Sequence, residues 1–389
     1  MKVEVDSEDK VVRWLSDPKP AVFQGLDLRK YSAAIAAKPL TGCSFLGCAI
    51  EPELAHAAAA AGCLVFPVVA GLPFDPFRPR LYTPGELYDK FDPADPGPSY
   101  RRCLDWLVYD SFMDPDTKKV RPADVDTDLL RRIHDASIAD ALEDLLDPAT
   151  RARSVAIMGG HDVPRDKPIF ADIARLAQDL CREGYMVLTG GGPGLMEAAN
   201  LGAYTSGFPD PPAVLDRALS DLKDAPVYNH ADWLLVGYRA WQAMGKPPQP
   251  TKNRNLGIPT WFYGHEPPNV FATDVAKYFE NSVREEGLLA VALAGVIFAE
   301  GNAGTVQEIF QDACQNYYRT YDKKKSPMVL LGTEYWAPAG MVRHNAKDKR
   351  KPVYPLLEKL ATEKAFSDYL LLTDDLGDIV KFIKGHPPV

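Results

Sequence analysis

Three glycine-bearing segments mark places where the backbone itself can do chemistry: Gly159-Gly160, Gly190-Gly191-Gly192-Pro193-Gly194, and Gly301-Asn302-Ala303-Gly304 followed by Thr305. Glycine has no Cβ, so the chain can come close to a phosphate, whose charge is then met by the N–H groups and dipole of a following helix. The pattern points to an anionic, phosphorylated small ligand. Any one of these segments is also an ordinary strand-to-helix turn, but three at one sheet edge are not expected from turns alone. Two common nucleotide signatures are missing. Gly159-Gly160-His161-Asp162-Val163-Pro164 lacks the GxGxxG spacing, and no GxxxxGK[ST] occurs, which disfavours NAD and P-loop ATP hydrolysis. The cysteines (Cys43, Cys48, Cys63, Cys103, Cys181, Cys314) are scattered, with no CxxC and no Cys/His cluster at zinc spacing, so they are expected as reduced, packed thiols. No metal constellation and no PLP motif is visible, and no cofactor is expected.

The elements that must position these loops alternate. Ser154–Met158 reads as a buried strand ending in Gly159-Gly160, and Pro168–Glu183 as an amphipathic helix with Ile169, Ile173, Leu176 and Leu180 on one face. Tyr185–Thr189 is the next strand and Leu195–Tyr204 the helix after it. A strand near Gly257–Pro259, a helix around Asp274–Arg284 and the apolar strand Ala294–Ala299 follow. A helix from Val306 and the strands Met328–Leu331 and Tyr369–Leu372 complete the series. Strands alternating with helices through short loops predict an α/β fold with a doubly wound parallel sheet, in which ligands bind beyond the carboxyl ends of the strands. The N-terminal third reads as an additional α/β segment: strand Cys43–Ile50, helix Pro52–Ala61, strand Cys63–Val69, then a proline-rich stretch with Arg78 and Arg80 and a polar helix Asp126–Leu145. With Asp147-Pro148 as a boundary, the expected division is residues 1–150, accessory or regulatory, and 151–389, nucleotide-binding. That first part, with Gly42, Gly47, Arg78 and Arg80, reads as a degenerate nucleotide-binding half or as a cover or oligomer surface.

Composition narrows the class. Lys plus Arg number 44 against 53 Asp plus Glu, a formal charge of −9, and this acidity argues against nucleic acid and anionic membrane as partners. No stretch approaches the roughly 20 apolar residues of a membrane span, and Met1-Lys2-Val3-Glu4-Val5-Asp6 is too charged to open a signal peptide, so a cytoplasmic location is expected. Proline is in excess, 34 of 389 residues or about 9% against a typical ~5%, and it crowds Pro67–Pro122 and Pro209–Pro268, which read as loops and insertions.

Gly190-Gly191-Gly192-Pro193-Gly194-Leu195-Met196-Glu197-Ala198-Ala199-Asn200, together with Gly301-Asn302-Ala303-Gly304-Thr305-Val306-Gln307-Glu308, resembles the LONELY GUY (LOG) family of nucleoside 5′-monophosphate phosphoribohydrolases. The first family signature, GGGxxGLM, is matched well in its glycine run and its Gly194-Leu195-Met196 end, with Pro193 alone between them. The second, PGGxGTxxE, has Glu300 in place of its proline and Asn302 in place of its second glycine. The resemblance covers roughly Ser154 to Ile383, interrupted by an insertion at about 207–253. In architecture it is similar to the larger bacterial pyrimidine/purine nucleotide nucleosidases, which also add flanking domains to such a core.

The resemblance implies cleavage of an N-glycosidic bond to give free base and ribose 5-phosphate. It implies Gly301, Gly304 and Thr305 at the 5′-phosphate, Glu308 at the ribose, and an arginine from a preceding MxxRK-like helix. Arg284, in Asn281-Ser282-Val283-Arg284-Glu285-Glu286, is the counterpart, without the following lysine. Glycosidic cleavage passes through an oxocarbenium-like state that a carboxylate stabilises, and Thr305 and Glu308, at i and i+3, share one face of a first helical turn. A glutamate in that turn also serves as a capping or dipole partner. The catalytic expectation is therefore Glu308 with Arg284. The substrate-binding expectation is Gly159, Gly160, Gly191, Gly192, Gly194, Met196, Glu197, Gly301, Asn302, Gly304 and Thr305, with His161 beside the first glycine pair. Base identity is expected to be set by the insertion carrying Tyr228, Trp233, Tyr238 and Trp241. A homodimer or higher homo-oligomer is implied by resemblance only. The alternative is a non-catalytic nucleotide or molybdenum-cofactor carrier, since such carriers share the fold and similar glycine loops.

Overall fold

The computed structural model describes residues 2–262, 267–320, 324–343, 345 and 347–388. The chain forms two compact units, one of Met1–Leu81 with Arg121–Leu142, the other of Tyr82–Val120 with Glu143–Val389. Each is built on its own parallel sheet, so the expected α/β class holds. No helix among the described residues is long and apolar enough to cross a membrane.

In the first unit the strands are β1 (Val3–Val5), β2 (Ala21–Gln24), β3 (Ser44–Leu46) and β4 (Leu64–Phe66), all parallel and adjacent in sequence order. The helices Glu8–Ser16, Ser32–Ala36 and Pro52–Ala60 link them. Right-handed crossovers repeated in one direction place all the linking helices on one face. There Val5, Phe23 and Phe45 pack with Val11, Trp14, Ile35, Leu54 and Ala58, and Phe23 and Phe45 stack with ring centroids 4.9 Å apart. The other face, with Val22, Gln24, Leu46 and Phe66, borders a cavity of about 360 Å³ under Phe77 and the Ile133–Asp140 stretch of the helix Val125–Leu145. The sequence pattern shows β3, β4 and the helix between them but misses β1 and β2, which are three and four residues long, too short for a periodicity to register.

The second unit carries β5 (Ser154–Met158), β6 (Met186–Thr189), β7 (Asn255–Gly257), β8 (Asp274–Val275), β9 (Gly295–Phe298), β10 (Met328–Leu331) and β11 (Leu370–Thr373). Their order is β11-β10-β9-β5-β6-β7-β8, parallel throughout. From β5 the chain builds outward one way through β6 to β8, then returns to the other side with β9 to β11. The direction reverses between β5 and β9, and a crevice opens beyond the carboxyl ends of strands at such a reversal. β5, β6, β9 and β10 are buried at every position, as a sheet covered on both faces requires.

Two sequence expectations are corrected here. The single cut near residue 150 gives way to a division in which Tyr82–Val120 packs with the second unit. Tyr82 and Val275 exchange backbone hydrogen bonds of 2.9 and 2.8 Å, Tyr88 donates to the Pro268 carbonyl, and Lys277 Nζ meets Asp105 Oδ1 at 2.5 Å. The expected helix Asp274–Arg284 is instead β8 followed by a helix that starts only at Asn281. Its tertiary surroundings override its charge-rich composition: Lys277 is buried against Asp105 and the Trp261 ring.

Candidate functional site

The three glycine segments converge at the β5/β9 reversal. After β5, Gly160 donates its N–H to the Glu300 carbonyl at 2.9 Å, and the Leu195 N–H donates to the Gly160 carbonyl at 3.1 Å, so all three loops are tied together. Gly194 makes this closeness possible. Its φ is +68°, and a Cβ on it would lie 2.3 Å from the Gly160 oxygen. The loop after β6 is held by a buried polar network. Thr189 Oγ1 accepts from the Gly191 N–H and donates to Asn200 Oδ1, while Asn269 Nδ2 donates to Asn200 Oδ1 at 2.8 Å and to the Gly192 carbonyl at 3.1 Å. Paired buried polar groups of this kind fix a loop before any ligand arrives.

After β9 the helix Ala303–Tyr318 begins, so the N–H groups of Ala303, Gly304 and Thr305 have no partner one turn back. Gly301 is packed by Thr305, whose Oγ1 would lie 2.2 Å from a Cβ there, and its carbonyl accepts a 2.6 Å hydrogen bond from the Tyr335 hydroxyl. These elements enclose a cavity of about 330 Å³. Of the expected residues, Gly159, Gly160, His161, Gly192, Met196, Arg284, Asn302, Gly304, Thr305 and Glu308 all line it, and Pro259, Thr260 and Glu285 join them. Gly191, Gly194 and Gly301 are absent from the lining and act through packing: Gly191, with φ +72°, lies against Pro259.

Glu308 lies in the first turns of its helix, one turn from Thr305, with Arg284 Nη1 at 4.0 Å from its Oε1. Burial pushes its carboxyl up to about 7; Arg284 works against that shift and Glu285 adds to it. Asp312, the next residue along the same buried stripe, is raised well above the usual carboxylate range by burial, and its Oδ2 has no hydrogen-bond partner. Arg284 is anchored away from Glu308, its Nη2 donating to Asn281 Oδ1 at 2.8 Å and to Glu285 Oε1 at 3.2 Å.

Glu197 does not reach the cavity. One residue on from Met196, it points about 100° around the helix, into the core. There it forms a fully buried bidentate pair with Arg165, Nε to Oε2 at 2.9 Å and Nη2 to Oε1 at 2.5 Å. Arg165 also donates to the Ala225 and Trp233 carbonyls and lies over the Trp233 ring, so the pair anchors the insertion. The aromatic wall expected from the insertion is corrected as well. Trp233, Tyr238 and Trp241 do not line the cavity, and Tyr238 instead packs on Phe91 and Trp241. Tyr228 touches it indirectly, edge-on to His161 at 5.3 Å. Sequence reasoning overlooked Asn269 and Glu285. The i, i+4 spacing of Asn281 and Glu285 was a visible signal for the latter; Asn269 carried none.

Fold and site together define a doubly wound α/β protein with a small-ligand cavity at its sheet reversal. No protein-family model matches the chain, and no curated protein matches it. Among solved structures, a molybdenum cofactor binding protein from the phototrophic bacterium Rippkaea orientalis is similar at 15% identity, over 60% of this chain and 95% of that one, with a TM-score of 0.33. The structural-genomics target TM1055 is similar at 15% identity, over 60% of this chain and 99% of that one, with a TM-score of 0.34.

Proposed function

We propose that the chain is a hydrolase that cleaves the N-glycosidic bond of a nucleoside 5′-monophosphate, releasing free base and ribose 5-phosphate. The observation that carries this reading is Glu308: a buried carboxylate in the cavity, one helical turn from unpaired helix N-terminal N–H groups and 4.0 Å from an arginine. The N–H groups of Ala303, Gly304 and Thr305 suit a phosphate monoester. A ribose extending from that phosphate into the cavity brings its anomeric carbon toward Glu308. As the C1′–N bond breaks, its electron pair goes to the base nitrogen and positive charge grows on the sugar, which the ionised carboxylate stabilises. Glu308 takes a proton from the attacking water and returns it to the departing base. A carboxyl whose pKa stands at about 7 is suited to both transfers near neutral pH.

The test is incubation of purified protein with AMP, GMP, IMP, CMP and UMP, followed by chromatography for free base. Base from at least one of them with wild type, and far less with Glu308→Gln, is the expected result. No base from any nucleotide at high enzyme concentration overturns the reading. A tightly retained ligand whose binding survives Glu308→Gln would then favour a carrier.

A further inference from the structure

The acidic residue beside Arg284 is held by three hydrogen bonds from three different side chains. Glu285 Oε1 accepts from Asn281 Nδ2 at 2.7 Å and from Arg284 Nη2 at 3.2 Å, and its Oε2 accepts from Gln307 Nε2 at 2.8 Å. Asn281 adds its own acceptor, with Oδ1 taking Arg284 Nη2 at 2.8 Å and Nε at 3.3 Å. Gln307 belongs to the helix that carries Glu308, so the Glu285 carboxylate stitches that helix to Asn281–Val291 at the rim of the cavity.

The effect on the guanidinium is asymmetric. Its Nε and Nη2 are held, whereas Nη1 has Glu308 Oε1 at 4.0 Å, beyond hydrogen-bonding distance. An arginine is planar with a long flexible stem, and beside a buried carboxylate it would ordinarily close into a short bidentate pair. Such a pair would neutralise the carboxylate and use up the donor.

We propose that Glu285 is a positioning residue: fixed by Asn281 and Gln307, it holds Arg284 back from a contact ion pair with Glu308 and leaves Nη1 presented to the ligand cavity. This inference rests on the glycosidase reading for its consequence in catalysis, while the clamp itself is a property of the free protein. Glu285 needs no contact with substrate to act this way.

Two readouts separate the clamp from the activity. In protein labelled with 15N-arginine, the Arg284 side-chain signals are assigned by their loss in Arg284→Lys. They should show hindered guanidinium rotation in wild type and altered signals in Glu285→Ala. In kinetics, Glu285→Ala should lower kcat about tenfold with KM changed less than about threefold, the split expected when a group acts in the transition state. The acid limb of kcat/KM should also move to lower pH by about one unit, because an arginine closing on Glu308 favours its charged form. Loss of the Glu285 charge by itself also lowers that limb, since that charge helps raise the Glu308 carboxyl, so the uncharged change at Gln307 is what separates the clamp from simple charge removal. Glu285→Gln should recover part of the loss. The exposed Gln307→Ala, which poses little risk to folding, should shift the limb in the same direction by less. Unchanged arginine signals in Glu285→Ala overturn the inference, as do kcat within about twofold of wild type and an unmoved limb in both Glu285→Ala and Gln307→Ala. If wild type releases no base from any nucleotide, the glycosidase reading fails on its own and the arginine signals still decide the clamp.

Discussion

Both units build parallel sheets whose strands run into glycines, and what packs at those glycines differs between them. In the first unit Gly25, after β2, lies against Pro79. Gly47, after β3, lies under Phe77, whose ring would be 2.6 Å from a Cβ there. In the second, Gly159, Gly160, Gly190 and Gly192 face a cavity of about 330 Å³. Strand order accounts for the contrast. The sequential order β1-β2-β3-β4 has no reversal, whereas β5 and β9 sit side by side with their helices leaving in opposite directions. Glycine after a strand licenses close approach, and whether a ligand or a phenylalanine makes that approach depends on topology.

The contrast can be broken by substitution. The largest effect is expected at Glu308→Gln, which should lower kcat about 100- to 1000-fold while leaving ribose 5-phosphate binding within a few-fold, measured by base release and calorimetry. Next come paired glycine substitutions. Gly194→Ala and Gly47→Ala both force a side chain into positive φ against a close neighbour and should each destabilise by a few kcal/mol. Only Gly194→Ala should also depress base release, since it alone spreads the loops at the cavity. Loss of activity in Gly47→Ala at a temperature where it is fully folded would break the contrast. Phe77→Ala should destabilise by about 3–5 kcal/mol in denaturant titration, with base release unchanged.

The smallest effects are pH-dependent stabilities. Burial raises the folded-state pKa of both Glu308 and Asp312, so the folded protein keeps protons that the unfolded chain gives up above about pH 4. Their contribution is full below that pH and is lost as pH rises, for Glu308 through about 7. Asp312→Asn, which keeps the shape and removes the charge, should therefore raise Tm at pH 8 and change it little at pH 4. Glu308→Gln should act in the same direction, by up to roughly 3 kcal/mol for a shift of that size. A Tm that falls at pH 8 in both variants would contradict the burial argument.

What could be read from the sequence follows from how local each signal is. β5 and β10 appear residue for residue, because strands buried on both faces leave continuous apolar runs bounded by glycine. Most of the glycine positions are legible because each lies in a contiguous loop or helix start, whereas Glu308 and Arg284 are singled out through the family resemblance, and all of these line the one cavity. Glu197 was misassigned because its partner Arg165 lies 32 residues away, and only the fold brings them together. The Asn200–Asn269 contact, 69 residues apart, is hidden for the same reason. By sequence the proline-rich stretch is a loop of the N-terminal third. Its residues from Tyr82 onward belong instead to the second unit, through contacts such as Asp105 with Lys277, 172 residues apart.

The central claim is that Glu308 in its ionised form drives glycosidic cleavage, and the dependence of kcat/KM on pH tests it most directly. For a nucleoside 5′-monophosphate that the wild type hydrolyses, kcat/KM should rise with pH as a single ionisation centred at about 7 and then level off, as loss of one proton from a buried carboxyl requires. A profile that is flat across that range, or that falls as pH rises through it, would contradict the account.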